Sequence, residues 1–210
     1  MNLTVYNNQV VIIQWLHDAL NQFEHFRFLA KAVLPESEIN VLRQGFILLM
    51  TAFDAAIFDL LRVALAEDFF SLIPRLAKDG SVKLKDMSKF KDFSEFSSSV
   101  IETQLKARYV KDLLLFLSAS GVQLFDQESD NLATLLELVQ RRNVHVHNRG
   151  YVDERYLERD ENDKPKWNLD NLSLGQVAVI DHAYWERTSM MTTTCVNAVA
   201  SWIDAGAPAK

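Results

Sequence analysis

Glycine and proline supply only ten of the chain's 210 residues, well under half of the roughly 12% they hold together in average proteins. Few positions can therefore turn or break the backbone, which argues against a turn-rich all-β fold and for long helices. The sequence predicts an all-α fold: an up-and-down bundle of about five helices, formed by residues 1–210 as a single domain. Apolar side chains make up 49% of the sequence, enough at this length for a core that needs no covalent staples. Cys195 is the sole cysteine, so no internal disulfide forms, and a reducing compartment is implied.

Hydrophobic spacing places the helices. Ile13, Leu16, Leu20, Phe23, Ala30 and Val33 set a first helix from near Asn8 to Leu34, ended by Pro35. Ser37 is the predicted cap of a second helix reaching Leu65, with Phe46, Leu49, Phe53, Ile57, Leu60 and Ala64 on one stripe. A short helical piece precedes Pro74, and residues 78–93, with five lysines, read as an exposed connection. A third helix starts near Ser94, carries Phe96, Val100, Leu105, Tyr109, Leu113 and Phe116 inward, and ends at Gly121. The fourth, capped by Ser129 or Asp130, shows an apolar face of Leu132, Leu135, Leu136, Val139 and Val146 and meets Gly150 just past its end. Residues 151–176 lack helical periodicity and are expected as an irregular or hairpin insertion. The last helix spans Asp181 to Ile203, with Tyr184, Met191, Cys195, Val199 and Trp202 inward. No signal peptide or membrane span is expected, because Asn2, Asn7, Asn8, Gln9 and Gln14 interrupt the uncharged start. The expectation is a cytoplasmic protein with no membrane partner.

The formal charge of −6 is a poor basis for coating nucleic acid without selectivity. One stretch departs from it. Residues 138–152 hold three arginines, two histidines and no carboxylate, centred on Gln140-Arg-Arg-Asn-Val-His-Val-His-Asn-Arg-Gly150. The same stretch interrupts the apolar stripe. Asn143 falls on the face of Leu132, Leu136 and Val139, and His147 lies about 40° from Asn143 around the helix. Arg142 and His147 are about 140° and about 7.5 Å apart on an ideal helix. They serve one site if Arg142 reaches round, or if a two-fold dimer brings each Arg142 to the other subunit's His147.

The pair suits metal-independent cleavage of RNA. Imidazole takes the proton of a ribose 2′-OH or protonates the leaving oxygen. A guanidinium fork stabilises charge growing on the phosphate, and Asn143 holds the phosphate or orients the imidazole. The 2′-OH nucleophile makes RNA the expected partner. Glycine-rich phosphate loops, a Ser/His/Asp arrangement and a dinucleotide fingerprint are missing from the sequence. His145 and His147 have no carboxylate or cysteine close in sequence to complete a metal site. No cofactor and no metal are expected.

Arg142-Asn143-Val-His-Val-His147 resembles the Arg-polar-x-x-x-His signature of the HEPN superfamily, small helical bundles that include RNA-cleaving toxins and antiphage effectors. Asn148 to Asp153 is similar to the residues just after the motif in several HEPN branches, so the resemblance covers about fifteen residues directly. It implies catalytic roles for Arg142 and His147 and the polar-position role for Asn143. It also implies a homodimer with the site at its interface, and a toxin or antiphage effector with an antitoxin protein as a further partner. A supporting polar residue on an earlier helix is implied as well, and Asp54, on the Phe46–Phe53–Ile57 face, is the candidate. HEPN toxins controlled by a nucleotidyltransferase carry a tyrosine two places after the histidine. This chain has Arg149 there, with Tyr151 nearby. His145 stands where an aliphatic residue is usual, as a second acid or base or as an exposed imidazole. Arg141, Asn148, Arg149 and Arg155 are candidate RNA contacts. The alternative is a catalytically inactive HEPN-like module that binds RNA or a protein through the same helix end.

Overall fold

The computed structural model describes residues 35–77, 84–125, 130–158 and 170–206, with scattered positions between Val10 and Phe28. The described residues form an all-α bundle. Its axis is α1, Pro35–Glu67. The helix opens on Pro35, whose missing N–H removes no helical bond in the first turn, so Ser37 is already helical and is not the cap. Phe46, Leu49, Phe53, Ile57, Leu60 and Ala64 recur every three or four residues and are fully buried, as their spacing predicts. Each such burial stabilises the fold by about 1.5–3 kcal/mol, and α1 packs against each of the later α-helices. Most of the expected first helix, Asn8 to Leu34, lies outside the described residues. Its described positions are helical, and Ile12 packs on the core.

A second helix, α2 (Phe69–Leu76), runs through Pro74, past the end expected there. Buried Leu72, Ile73 and Leu76 hold its last turn, and the Ala77 amide donates to the Ile73 carbonyl at 2.9 Å. A 3-10 turn, Leu84–Lys89, comes next, with Met87, Ser88 and Lys89 exposed.

The expected third helix is two helices, α3 (Phe93–Lys106) and α4 (Val110–Ala119). The Asp112 carboxylate accepts the Tyr109 amide at 3.2 Å, and the Tyr109 carbonyl accepts the Asp112 amide at 2.9 Å. That reciprocal pair starts a new helix. Arg108 donates to the Leu76 carbonyl and ties the break to the end of α2. Only one inward position departs as a result: Val110 is buried and Tyr109 is 82% exposed, while Leu113 and Phe116 are buried as expected.

The motif lies on α5, Asn131–His147. Asp130 occupies the N-cap position without a side-chain cap bond, and Ser129 lies outside the described residues. The final helix, α6 (His182–Asp204), is packed as expected, with Tyr184, Met191, Cys195, Val199 and Trp202 buried. Gly45 sets its approach to α1, since a Cβ there would meet the Trp185 ring at 3.0 Å. Asp181 caps α6, its Oδ1 accepting the Tyr184 amide at 2.7 Å. Asp181→Ala is expected to lower stability by about 1 kcal/mol, read as a lower urea midpoint at unchanged slope.

Between α5 and α6 the described residues, 148–158 and 170–181, form a non-helical excursion. Its ends pair through one antiparallel bridge, Tyr151 with Val177, and the Val152 amide donates to the Gln176 carbonyl at 2.9 Å. Val144, Val152, Tyr156 and Ala178 form a small second core there. No described helix is long and apolar enough to cross a membrane.

Candidate functional site

Successive residues on α5 leave the helix about 100° apart, and two adjacent arginines are separated by that turn. Arg141 points inward and is 2% exposed. Its Nε donates to Glu137 Oε1 at 2.7 Å, its Nη2 to Tyr156 Oη at 2.9 Å and to the Asp170 carboxylate, and its Nη1 to the Val179 carbonyl at 3.3 Å. Glu137, fully buried, also accepts from Tyr156 Oη at 2.6 Å and Tyr184 Oη at 2.8 Å. Burial, then the Glu137 charge, pushes both phenols above their usual range, so they stay donors. The guanidinium also lies 4.2 Å from the Tyr184 ring centroid. A buried ion pair holds only where its remaining groups are satisfied in this way. Arg141, a candidate RNA contact in the sequence, is therefore not one, because burial closes it off. It fastens the excursion to α5 and α6.

Arg142 faces a groove of about 950 Å³. The groove takes Met50, Asp54 and Phe58 from α1, and Arg142, Asn143 and His147 from α5. Arg108, Tyr109, Lys111 and Asp112 line it from the α3–α4 junction, and Asp153, Glu154, Arg155 and Glu158 from the excursion. Arg142 is half-buried, and its Nε, itself buried, has no partner among the described residues. Its hydrogen bond among the described residues, Nη1 to Asn143 Oδ1, is long at 3.4 Å. His147, in the last turn of α5, is exposed. Asp54 is half-buried, and burial lifts its carboxyl to about 6 while the Arg142 charge draws it down. A permanent cation, an imidazole and a carboxyl poised near neutrality thus share one groove, the combination that anion binding with proton transfer requires. Arg142 and His147 both line this groove within one chain.

The other candidates are placed differently. His145 is 4% exposed and sits edge-on to Phe46, the ring centroids 5.9 Å apart. Gly150, at φ +90°, closes over it, since a Cβ there would lie 3.0 Å from the imidazole. Burial, then the charge of Arg43, pushes the His145 pKa down to about 4. The Arg43 Nη2 donates to the His145 carbonyl at 2.8 Å. His145 is thus neither an exposed imidazole nor a second acid or base of the groove, because its side of α5 packs into the core. Asn148 donates from Nδ2 to the Tyr151 carbonyl at 2.6 Å. Arg149 is exposed at φ +54°, in the turn that ends α5. Asn148, Arg149 and Tyr151 do not line the groove, and Arg155 does.

Sequence reasoning missed the Glu137 network and the junction residues. The network left a trace in the pattern: Glu137 interrupts Leu135-Leu-Glu-Leu-Val139 and precedes Arg141 by one helical turn. Among the described residues no three His, Cys, Asp or Glu side chains are grouped to hold a metal ion. No family model, no curated protein and no solved structure matches this chain.

Proposed function

We propose that this chain is a metal-independent endoribonuclease of HEPN type. One contrast carries the proposal: among the described residues Arg142 makes one long side-chain hydrogen bond and lines a groove with His147 and Asp54, while Arg141 is saturated inside the protein. A guanidinium left short of partners at a groove favours a bound anion. In the reaction, the ribose 2′-oxygen bonds to the adjacent phosphorus as its proton passes to a base. The P–O5′ bond breaks as the leaving oxygen gains a proton, which leaves a 2′,3′-cyclic phosphate and a 5′-hydroxyl. His147 is the proton-transfer group. Arg142 binds the phosphoryl oxygens as their charge grows, and Asn143 orients the phosphate. Asp54, as a carboxylate, holds the Arg142 guanidinium toward the groove.

Following the resemblance, the protein acts as a cytoplasmic homodimer and as a toxin or antiphage effector restrained by an antitoxin protein. Purified protein incubated with an RNA pool in EDTA tests the activity. Cleavage to 2′,3′-cyclic phosphate ends is expected, lost in His147→Ala. Equal survival of the RNA with wild type and His147→Ala, in a preparation that light scattering shows to be dimeric, removes catalysis. RNA or protein bound through the groove without cleavage supports the inactive-module alternative instead.

A further inference from the structure

We infer that Tyr109 is a base-stacking subsite and that the groove accepts single-stranded RNA in preference to duplex, an inference that rests on RNA being the groove's ligand. Tyr109 is 82% exposed, more than any other large apolar side chain among the described residues. Its backbone is nonetheless fixed on both sides, by the reciprocal bonds with Asp112 and by the Arg108 tie to the Leu76 carbonyl. A rigid backbone thus holds an aromatic face out in solvent at the rim of the groove that contains Arg142 and His147. The helix break creates this arrangement, since a continuous α3–α4 helix on the sequence period would turn residue 109 inward.

Arg108 and Lys111, close to Tyr109 in sequence, line the same groove, as does Asp112. An aromatic face between cations is how proteins hold an unpaired base with its phosphates, and such stacking is worth about 1–3 kcal/mol per base. The groove's lining carries carboxylates as well as cations, which disfavours a ligand with two phosphate chains. The excursion contributes Asp153, Glu154 and Glu158 against the single cation Arg155. A duplex brings a second phosphate chain, which meets these carboxylates. A single strand offers a free base to Tyr109 with its phosphates within reach of Arg142 in the same groove. Duplex RNA also keeps its bases stacked on one another and out of reach of the ring.

Fluorescence anisotropy with a labelled ten-nucleotide unpaired RNA tests this, using His147→Ala protein so that the RNA stays intact. Adding Tyr109→Ala is expected to weaken binding roughly 5- to 100-fold, and Tyr109→Phe to stay within about twofold because the ring face is kept. Replacing one base of the RNA by an abasic site is expected to weaken binding to the parent but not to Tyr109→Ala. Duplex of the same length is expected to compete poorly. Unchanged affinity in Tyr109→Ala, equal competition by duplex, or no RNA binding at all overturns the subsite. Tyr109-dependent binding by a wild type that cleaves nothing leaves the subsite standing and removes only the catalytic proposal.

Discussion

Arg141→Ala and Arg142→Ala, one residue apart, are expected to fail in opposite ways. Arg141→Ala leaves the Glu137 carboxylate, which is fully buried, without its cation. Only the hydroxyls of Tyr156 and Tyr184 remain to it. Removing one partner of a buried pair costs about 3–5 kcal/mol, a large part of the 5–15 kcal/mol that typically holds a domain together. The Asp170 and Val179 contacts made by the same guanidinium disappear with it, so the excursion loses its anchor to α5. Arg142→Ala removes one long hydrogen bond to a neighbouring side chain. It also removes the charge that draws the Asp54 carboxyl down, and its stability loss is expected to stay well below that of Arg141→Ala.

Activity is expected to divide the other way. Loss of the phosphate-binding cation lowers RNA cleavage by about 100-fold or more in a protein that melts normally. Urea denaturation and cleavage rates measured on the same two preparations make the comparison. An Arg141→Ala protein as stable as wild type contradicts the buried network, and a stable Arg142→Ala protein with full cleavage removes Arg142 from the site. Arg141→Lys sharpens the first arm. An ammonium keeps the charge opposite Glu137 but lacks the planar fork that reaches Glu137 from Nε and Tyr156 and Asp170 from Nη2, so a partial loss is expected.

The contrast between these two arginines marks where sequence stops informing structure. Both belong to the same cationic stretch, and helical phase alone shows that they diverge, not which one enters the core. Their fates depend on Tyr156, Asp170 and Tyr184, which lie 15, 29 and 43 residues beyond Arg141 in the chain. The long stripes were legible because burial on one face is what a period of 3.6 residues encodes. The α1 core and the span of α6 result from it directly. The break before α4 was not, because Leu105, Tyr109 and Leu113 keep helical spacing whether or not the helix continues. The choice is made by the Asp112 cap and by Arg108 reaching the Leu76 carbonyl 32 residues away. Asp54, Asn143 and His147 were visible as polar interruptions of apolar faces. His145 was not distinguishable from them by type, and only the packing of Phe46 and Gly150 takes it out of the groove.

Asp54 and His145 are expected to impose opposite pH dependences on folding, which Asp54→Asn separates. Burial holds Asp54 at about 6, above its ordinary 3.8. Between those values the folded state binds the extra proton, so this group's contribution to stability falls as pH rises from about 4 to 6. His145 sits at about 4, below its ordinary 6.5. The unfolded chain binds the extra proton in that interval, so stability from this group rises as pH climbs from about 4 to 6.5. Each shift corresponds to about 3 kcal/mol, and in wild type the two largely offset one another.

Asp54→Asn removes the falling component. Relative to wild type, the variant is expected to gain stability progressively between pH 4 and 6, reaching an advantage of up to about 3 kcal/mol at pH 7. Urea unfolding of both proteins at pH 4, 5, 6 and 7 measures it, and parallel stability curves reject the raised Asp54 carboxyl. A residue whose removal stabilises the fold is kept at a cost to stability, the pattern of sites shaped by function. On the proposed mechanism the same Asp54→Asn protein cleaves RNA more slowly, because the amide no longer holds the Arg142 guanidinium toward the groove. More stable and less active is the outcome that ties Asp54 to the site. A variant that gains stability with undiminished cleavage makes Asp54 a buried acid with no part in the reaction.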